Sequence, residues 1–133
     1  MLRLLPPLCW TGLIAYFGGS QWSTDQTAGW LGPLLSALLP FGSPEQLEAA
    51  HFLIRKAAHI IEYGVLAGLW RGCLGGLWVP LGLAMLTATL DELHQSFAPG
   101  RGAAVADVLL DGAAAVIALA VIEARRRPRD ATS

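Results

Sequence analysis

The chain of 133 residues is 54% hydrophobic and 14% charged, and its mean hydropathy of +0.51 exceeds what a soluble domain of this length usually needs. These values favour a membrane protein over a soluble globular domain. The net charge is −1, and the aromatic residues lie in apolar runs without interleaved Lys or Arg, so nucleic acid is excluded as an expected partner.

The first predicted membrane helix covers residues 4–19 and has Pro6 and Pro7 in its first turn. An alternative interpretation is a secretory signal peptide, although no A-x-A cleavage site follows. The next apolar segment, residues 28–42, is too short and too interrupted by glycine and proline to span a bilayer. We expect it to form an interfacial or re-entrant segment.

Three longer helices are predicted in the rest of the chain. They cover residues 43–73, 77–97 and 103–124, and a basic tail follows at 125–133. The first of them begins at Ser43, where SPEQ combines an N-cap, a proline at the first helical position and a capping-box glutamine. The expected fold is therefore all-α: one domain over residues 1–133, forming a polytopic membrane bundle of about four transmembrane helices.

Basic residues near the helix ends predict the orientation of this bundle. If four helices alternate across the membrane, one side receives six arginines: Arg3, Arg71, Arg125, Arg126, Arg127 and Arg129. That side is expected to be cytoplasmic, which places both termini inside. The outer side then receives Arg55, Lys56, Arg101 and most of the acidic residues.

Polar residues share one face of the second membrane helix. At about 100° per residue, RKAAHIIEY places five of them within an arc of about 120°. They are Arg55, Lys56, His59, Glu62 and Tyr63. Charged side chains cost about 2.5–3.5 kcal/mol each at the centre of a membrane helix, so we expect these to lie near the interface, face inward and form pairs.

The two following helices carry polar residues at the same end of the predicted bundle. The third helix has Asp91, His94 and Gln95 on one face, with Glu92 pointing away from it. The fourth helix and the loop before it add two carboxylates and a cation, namely Asp107, Asp111 and Arg101. We expect these residues to form one pocket in the outer half of the membrane. The alternative is a set of ion pairs that only holds the helices in register.

Three glycines on the second helix, Gly64, Gly68 and Gly72, form a GxxxGxxxG stripe. Such stripes permit close approach of helices in lipid, and helix packing is the first interpretation. A homodimer formed along the same stripe is a further expectation.

The polar set contains two candidate ligand sites. In PGRG, Arg101 and the free N–H groups at a helix start favour an anion, whereas the alternative is an ordinary Pro-Gly turn. No cofactor is expected, but a divalent metal is left open because His59, His94, Asp91 and Asp107 form a mixed N/O donor set. Their spacing matches no established ligand motif.

Three segments resemble the VanZ-like family of small bacterial membrane proteins, named for a protein that raises resistance to the glycopeptide teicoplanin. The segments are KAAHIIEYGVL, DELHQSFAPGR and VADVLLD, in the order and spacing of that family. The resemblance implies the fold, a multi-pass location in the bacterial cytoplasmic membrane and a link to the cell envelope, but no settled reaction. Asp111 departs from the pattern, since relatives often carry an amide there.

The preferred hypothesis is an outer-facing site that binds an anionic cell-envelope amphiphile, such as a lipid-linked phosphate, and contributes to teicoplanin tolerance. The expected binding residues are Arg55, Lys56, Tyr63, Gln95 and Arg101. The expected acid–base residues are His59, Glu62, Asp91 and His94, supported by Asp107 and Asp111. Whether hydrolysis or transfer follows binding is left open.

Two other classes of function remain as alternatives. One is a non-catalytic accessory protein that shields an envelope target and whose polar cluster is structural. The other is a proton-relay subunit of a transporter, which the almost purely apolar inner halves of the three longer helices disfavour.

Overall fold

The structure, a computed structural model, describes residues 2–19, 24–97 and 104–126. Within these ranges a short 3-10 turn, Leu2–Leu4, precedes five α-helices and no strand occurs. The helices are α1 (Leu5–Phe17), α2 (Thr24–Leu38), α3 (Pro44–Leu74), α4 (Trp78–Ser96) and α5 (Val105–Arg126). The all-α prediction is confirmed, and the ends predicted for the three longer helices lie within two residues of those observed.

The start of α3 is fixed by its own sequence. Ser43 accepts a hydrogen bond from the backbone N–H of Gln46 through its hydroxyl, while the Gln46 side chain accepts one from the Ser43 N–H. Pro44 occupies the first helical turn, where no backbone donor is needed. At the other end, Gly75 and Gly76 adopt positive φ angles of 68° and 62°, a conformation that favours glycine. This tight turn sends α4 back along α3.

Helix α2 occupies the segment expected to be interfacial or re-entrant. Thr27, Leu31 and Leu35 are buried at intervals of four residues, so they form the face that packs against α3. Trp30 and Leu34, between them, are exposed. Fifteen residues extend only about 22 Å as a helix, less than the hydrocarbon thickness of about 30 Å. The interfacial location stays a prediction.

The core of the bundle is the contact between α3 and α5. Side-chain pairs near both ends of this contact join residues 51 or 52 positions apart in the chain. These pairs are Lys56 with Asp107, and Arg71 with Glu123 at 3.0 Å. Because the offset is nearly constant, α3 and α5 run parallel, and α4 packs antiparallel against both.

Glycine and alanine residues permit the close approach of these helices. A methyl group at Gly64 would lie 3.7 Å from Ala118 of α5, and one at Gly68 would lie 3.3 Å from Ile122. One at Gly72 would meet no described residue within 4 Å. Two of the three glycines in the stripe therefore serve packing inside the chain, as in other small-residue helix contacts. The homodimer stays a prediction.

Helix α1 packs antiparallel to α3. The Trp10 indole N–H donates to the Glu62 carbonyl at 2.9 Å, and the Cys73 thiol donates to the Arg3 carbonyl at 2.6 Å. The start of α1 therefore lies beside the end of α3. Gly18, at the other end of α1, lies in the opposite half of the bundle.

The surface of the described helices is rich in apolar side chains. Helix α5 has 22 residues and contains an 18-residue stretch with a mean hydropathy of 2.3, and it is the one helix of the described ranges that is long and apolar enough to cross a membrane. Leu2–Phe17 forms a shorter apolar helix. Large apolar residues such as Leu53, Trp78 and Ile117 are more than half exposed. These features indicate a membrane protein. The four spans and their orientation stay predictions.

The packing of α4 on α5 can be tested at Gly112. A β-carbon there would overlap the Met85 sulfur, so the larger side chain of Gly112→Leu should displace Met85 and disturb the packing of α4 on α5. Overpacking of this kind costs about 1–3 kcal/mol, and we expect a lower midpoint of thermal unfolding in detergent. Gly82→Leu is the matched control, because Gly82 is exposed on α4 with no described atom within 4 Å. Equal midpoints for the two variants would contradict the packing.

Candidate functional site

The polar faces of α3, α4 and α5 meet at one end of the bundle. Because α3 and α5 run parallel and α4 runs back between them, the first halves of α3 and α5 lie beside the second half of α4. The C-terminus of α1 reaches the same end. The opposite end of the bundle holds basic residues that lie near the described chain termini and at the end of α3. They are Arg3, Arg71, Arg125 and Arg126.

A cavity of about 230 Å³, here called the polar cavity, lies between α1, α2, α3 and α4. Arg55, His59 and Glu62 reach its wall from α3, where they are spaced by four and three residues and so share a face. Asp91 and Gln95 contribute from α4, one helical turn apart. The rest of the described wall consists of Ile14, Phe17, Gly18, Thr27 and Ala58.

Asp91 is held in position by two donors. Its Oδ2 atom accepts hydrogen bonds from Gln95 Nε2 at 2.7 Å and from the Tyr63 hydroxyl at 3.3 Å. Tyr63 is fully buried and Asp91 is 7% exposed. A β-carbon at Gly18 would overlap Asp91 Oδ1, so α1 can end against this carboxylate because the residue there is glycine. The network fixes Asp91 where α1, α3 and α4 meet.

His59 connects the polar cavity to a buried carboxylate on α5. Its Nδ1 atom lies 3.4 Å from both carboxylate oxygens of Asp111, whose side chain is 1% exposed. The imidazole also stacks on the Tyr63 ring, with centroids 6.3 Å apart. A carboxylate behind an imidazole orients the ring and can share its proton. This arrangement leaves His59 suited to acid–base chemistry at the cavity wall.

Lys56 lies apart from the polar cavity, although it was expected to bind ligand there. Its ammonium group forms an ion pair with Asp107, and both side chains are about three-quarters buried. Neither residue is among the described residues that line the cavity. The structure therefore assigns Lys56 and Asp107 to the contact between α3 and α5.

His94 lies on a different side of α4 from the polar cavity. It is exposed and lines a second cavity of about 250 Å³ between α1 and α4, here called the apolar cleft. The other residues that line the cleft are Thr11, Ile14, Ala15, Thr87, Leu90 and Asp91. Both threonine hydroxyls already donate to carbonyl groups of their own helices. The cleft shares Ile14 and Asp91 with the polar cavity, so the two spaces adjoin.

Two polar residues have roles that the sequence reasoning missed. His51 Nε2 lies 3.1 Å from the Thr27 hydroxyl, to which Arg55 also donates at 3.4 Å, and these contacts fasten α2 to α3. The sequence contains one indication of this role for His51, which is that His51 precedes Arg55 by one helical turn. Glu92, expected to point away from the site, is buried and accepts the backbone N–H of Ala104 at the start of α5. A carboxylate is favourable at a helix N-terminus.

The two remaining ligand-site predictions stay untested. Arg101 and the rest of the PGRG loop lie outside the described residues. Among the described residues, no group of three or more His, Cys, Asp or Glu side chains could hold a metal ion. Of the four candidate metal ligands, Asp107 is paired with Lys56 and His94 lines the apolar cleft, whereas His59 and Asp91 both line the polar cavity.

The helices and the buried polar groups define a small all-α membrane protein with a polar cavity at one end. A family model described as VanZ/LLP1 matches residues 4–126, nearly the whole chain, and the chain belongs to this family. The resemblance seen in the three sequence segments is thereby confirmed. Comparison with curated proteins gave no match, and neither did comparison with solved structures.

Variants of the Lys56–Asp107 pair test whether these two residues hold α3 and α5 in register or bind ligand. Lys56→Met and Asp107→Asn should each destabilise the bundle, because each leaves a partly buried charge without its partner. The double variant should recover part of the loss, with a coupling energy of about 0.5–3 kcal/mol. Unfolding of the four proteins in detergent measures this energy. Strictly additive losses would show that the ion pair does not stabilise the α3–α5 contact.

Proposed function

We propose that this VanZ/LLP1 family member is a multi-pass protein of the bacterial cytoplasmic membrane that binds a phosphate-bearing amphiphile of the cell envelope. The observation that supports this most strongly is the junction of the polar cavity with the apolar cleft at Ile14 and Asp91. An envelope amphiphile has the same two parts, a polar headgroup joined to hydrocarbon. The headgroup would occupy the cavity and the first part of its hydrocarbon chain the cleft.

The headgroup is bound through Arg55 in this proposal. A guanidinium group can donate two parallel hydrogen bonds to a phosphate, and such charge-assisted bonds are stronger inside a cavity than in water. Gln95 and Tyr63, which were also expected to bind ligand, both donate to Asp91, and Gln95 lines the polar cavity. Of the two expected cations on α3, Arg55 lines the cavity and Lys56 is paired with Asp107.

The volume of the polar cavity limits what it can accept. Pockets that enclose drug-sized molecules measure about 300–1,000 Å³, whereas this cavity measures about 230 Å³. A phosphate with a small substituent fits such a space. A peptide attached to the headgroup would extend beyond it.

The outward orientation of the cavity is supported by the distribution of arginines. The described arginines other than Arg55 lie at the end of the bundle opposite the cavity, as Arg3, Arg71, Arg125 and Arg126. By the positive-inside rule that end would be cytoplasmic, with four spans and both termini inside. The cavity would then face the outer leaflet, where glycopeptides act, and a contribution to teicoplanin tolerance would follow from its occupancy there.

Arg55→Gln tests this proposal directly. The purified protein in lipid nanodiscs is titrated with polyprenyl phosphate and with polyprenol, and the bound lipid is counted by native mass spectrometry. A charge-assisted hydrogen bond contributes about 1.5–3 kcal/mol, so the variant should bind the phosphate at least about tenfold more weakly and the alcohol unchanged. Arg126→Gln removes the same charge from the exposed far end and should bind as the wild type does.

The same variants can be compared in cells. At equal membrane levels, a host expressing Arg55→Gln should lose teicoplanin tolerance while Arg126→Gln keeps it. Wild-type affinity in Arg55→Gln, or equal binding of phosphate and alcohol to the wild type, would contradict phosphate binding in the polar cavity.

The contact of His59 with Asp111 favours a second candidate function, hydrolysis of the bound phosphoester. In that reaction His59 would accept a proton from water as the water oxygen bonds to phosphorus. The P–O bond to the lipid alcohol would break, releasing inorganic phosphate, and the proton would pass to the departing alcohol oxygen.

His59→Gln distinguishes hydrolysis from binding alone. If the protein is a hydrolase, the variant should still bind polyprenyl phosphate within a few-fold of wild type but should lose both tolerance and release of inorganic phosphate from the lipid. His51→Gln is the control on the same helix, because His51 contacts α2 and is not among the described residues lining the polar cavity. A variant that retains full tolerance would identify a non-catalytic binding protein.

A further inference from the structure

We infer that the apolar cleft accepts one hydrocarbon chain, so that the ligand of the polar cavity is a phosphate monoester with a single chain. The chemical class is then an alkyl or polyprenyl phosphate, and lipids with two acyl chains are rejected. This inference rests on the proposed function and narrows it by the number of chains that the amphiphile carries.

The described surface of the apolar cleft suits hydrocarbon along most of its length. The hydroxyl groups of Thr11 and Thr87 each donate to a carbonyl group of their own helix at 2.9 Å, so neither has a hydrogen left for a ligand. Asp91 and His94 follow Thr87 on α4 and lie nearer the end of the bundle that holds the polar cavity. A chain that leaves the cavity beside Asp91 therefore runs past the two threonines toward the middle of the bundle.

The volume of the cleft corresponds to part of one chain. An apolar cavity of about 150 Å³ holds one benzene molecule, so the cleft, which measures about 250 Å³, has room for about ten carbon atoms. Its lining on α4 extends from Thr87 to His94, which is about 10.5 Å along the helix axis. Ten carbon atoms arranged over that length form one chain in single file.

The entrance to the cleft is too narrow for a second chain. Helices α1 and α4 contact each other, and the axes of packed helices lie about 8–10 Å apart. Ile14 and Asp91, which line both spaces, are only 2% and 7% exposed. Asp91 is held by two donors at Oδ2 and lies against Gly18 at Oδ1, so it cannot move aside without breaking these contacts. The two chains of a diacyl lipid separate close to the phosphate, and both would have to pass this point.

The cleft opens to its surroundings along one side, where Ala15, Leu90 and His94 are exposed. The remainder of a chain longer than the cleft can therefore continue into the bilayer. Because lipid tails are as apolar as the cleft, transfer of a chain from the bilayer into the cleft provides little hydrophobic driving force. The cleft instead selects by shape, since it has space for one chain and not for two.

The experiment compares lipids whose chains have the same length and saturation. Native mass spectrometry of the full-length wild type in detergent measures binding of hexadecyl phosphate, palmitoyl lysophosphatidic acid, dipalmitoyl phosphatidic acid and hexadecanol. The first three carry the same phosphate monoester group. We expect hexadecyl phosphate and lysophosphatidic acid to bind within a few-fold of each other, and phosphatidic acid at least about tenfold more weakly. This ranking does not depend on a variant that folds.

Two variants then test whether the chain lies in the cleft. Ala15→Phe and Thr87→Phe narrow the cleft from α1 and from α4, and each should weaken binding of hexadecyl phosphate at least about tenfold. Leu13→Phe is the matched control, because Leu13 is exposed on α1 and is not among the described residues that line the cleft or the polar cavity. Each variant is compared only if its thermal midpoint matches that of the wild type.

The outcomes separate this inference from the proposed function. If phosphatidic acid binds the wild type as tightly as hexadecyl phosphate does, the single-chain requirement is wrong and phosphate binding stands. The requirement is also wrong if lysophosphatidic acid binds as weakly as phosphatidic acid, or if both cleft variants bind hexadecyl phosphate as the wild type does. Hexadecanol that binds as tightly as hexadecyl phosphate would instead contradict phosphate binding in the polar cavity.

Discussion

The parallel contact between α3 and α5 determines where every functional group lies. It is held by ion pairs near both ends, Lys56 with Asp107 and Arg71 with Glu123, so the two helices cannot slide by a turn without separating charges in a poorly solvated setting. Between these pairs, Gly64 lets the backbones approach. With this register fixed, His59 of α3 faces α5. The neighbouring residues on the same face of α3 are directed to the polar cavity.

The short glycine turn after α3 determines how α4 is placed relative to α3 and α5. Because Gly75 and Gly76 reverse the chain within a few residues, α4 must run antiparallel beside α3 and bring its second half to the cavity. Asp91 then meets Tyr63 from α3 and the end of α1 at Gly18. Three helices are joined at one carboxylate, and its position follows from the α3–α5 register and the turn.

Much of the fold could be predicted because its signals are local. The capping box at Ser43 fixed the start of the longest helix, and apolar runs bounded by glycine and proline gave the other helix ends within two residues. The gathering of polar groups at one end also followed from helical periodicity and a simple up-and-down topology. Helix α2 was harder, because a segment broken by Pro33 has the composition of either a loop or a short helix.

The roles of individual residues depend on contacts between helices, which the sequence alone does not show. Arg55 and Lys56 are neighbours about 100° apart on the helix, so periodicity places both on the polar face but cannot tell which one meets α5. His94 and Asp91 likewise share one face by periodicity, but only the packing of α1 shows that Asp91 lines both cavities whereas His94 lines the apolar cleft. Glu92 was assigned away from the site because helical periodicity places it off the shared face, and periodicity does not show that the start of α5 lies beside it.

The polar residues of the bundle therefore divide into two sets with different physical purposes. Lys56 and Asp107 neutralise each other and hold helices together, a task for which ion pairing is sufficient. Arg55, Glu62 and Asp91 line the polar cavity. Placing that wall next to an apolar cleft is costly in a bundle whose only task is to stay in register, since apolar residues would pack there at least as well. The cost is accounted for if a phosphate-bearing amphiphile occupies the cavity and the cleft.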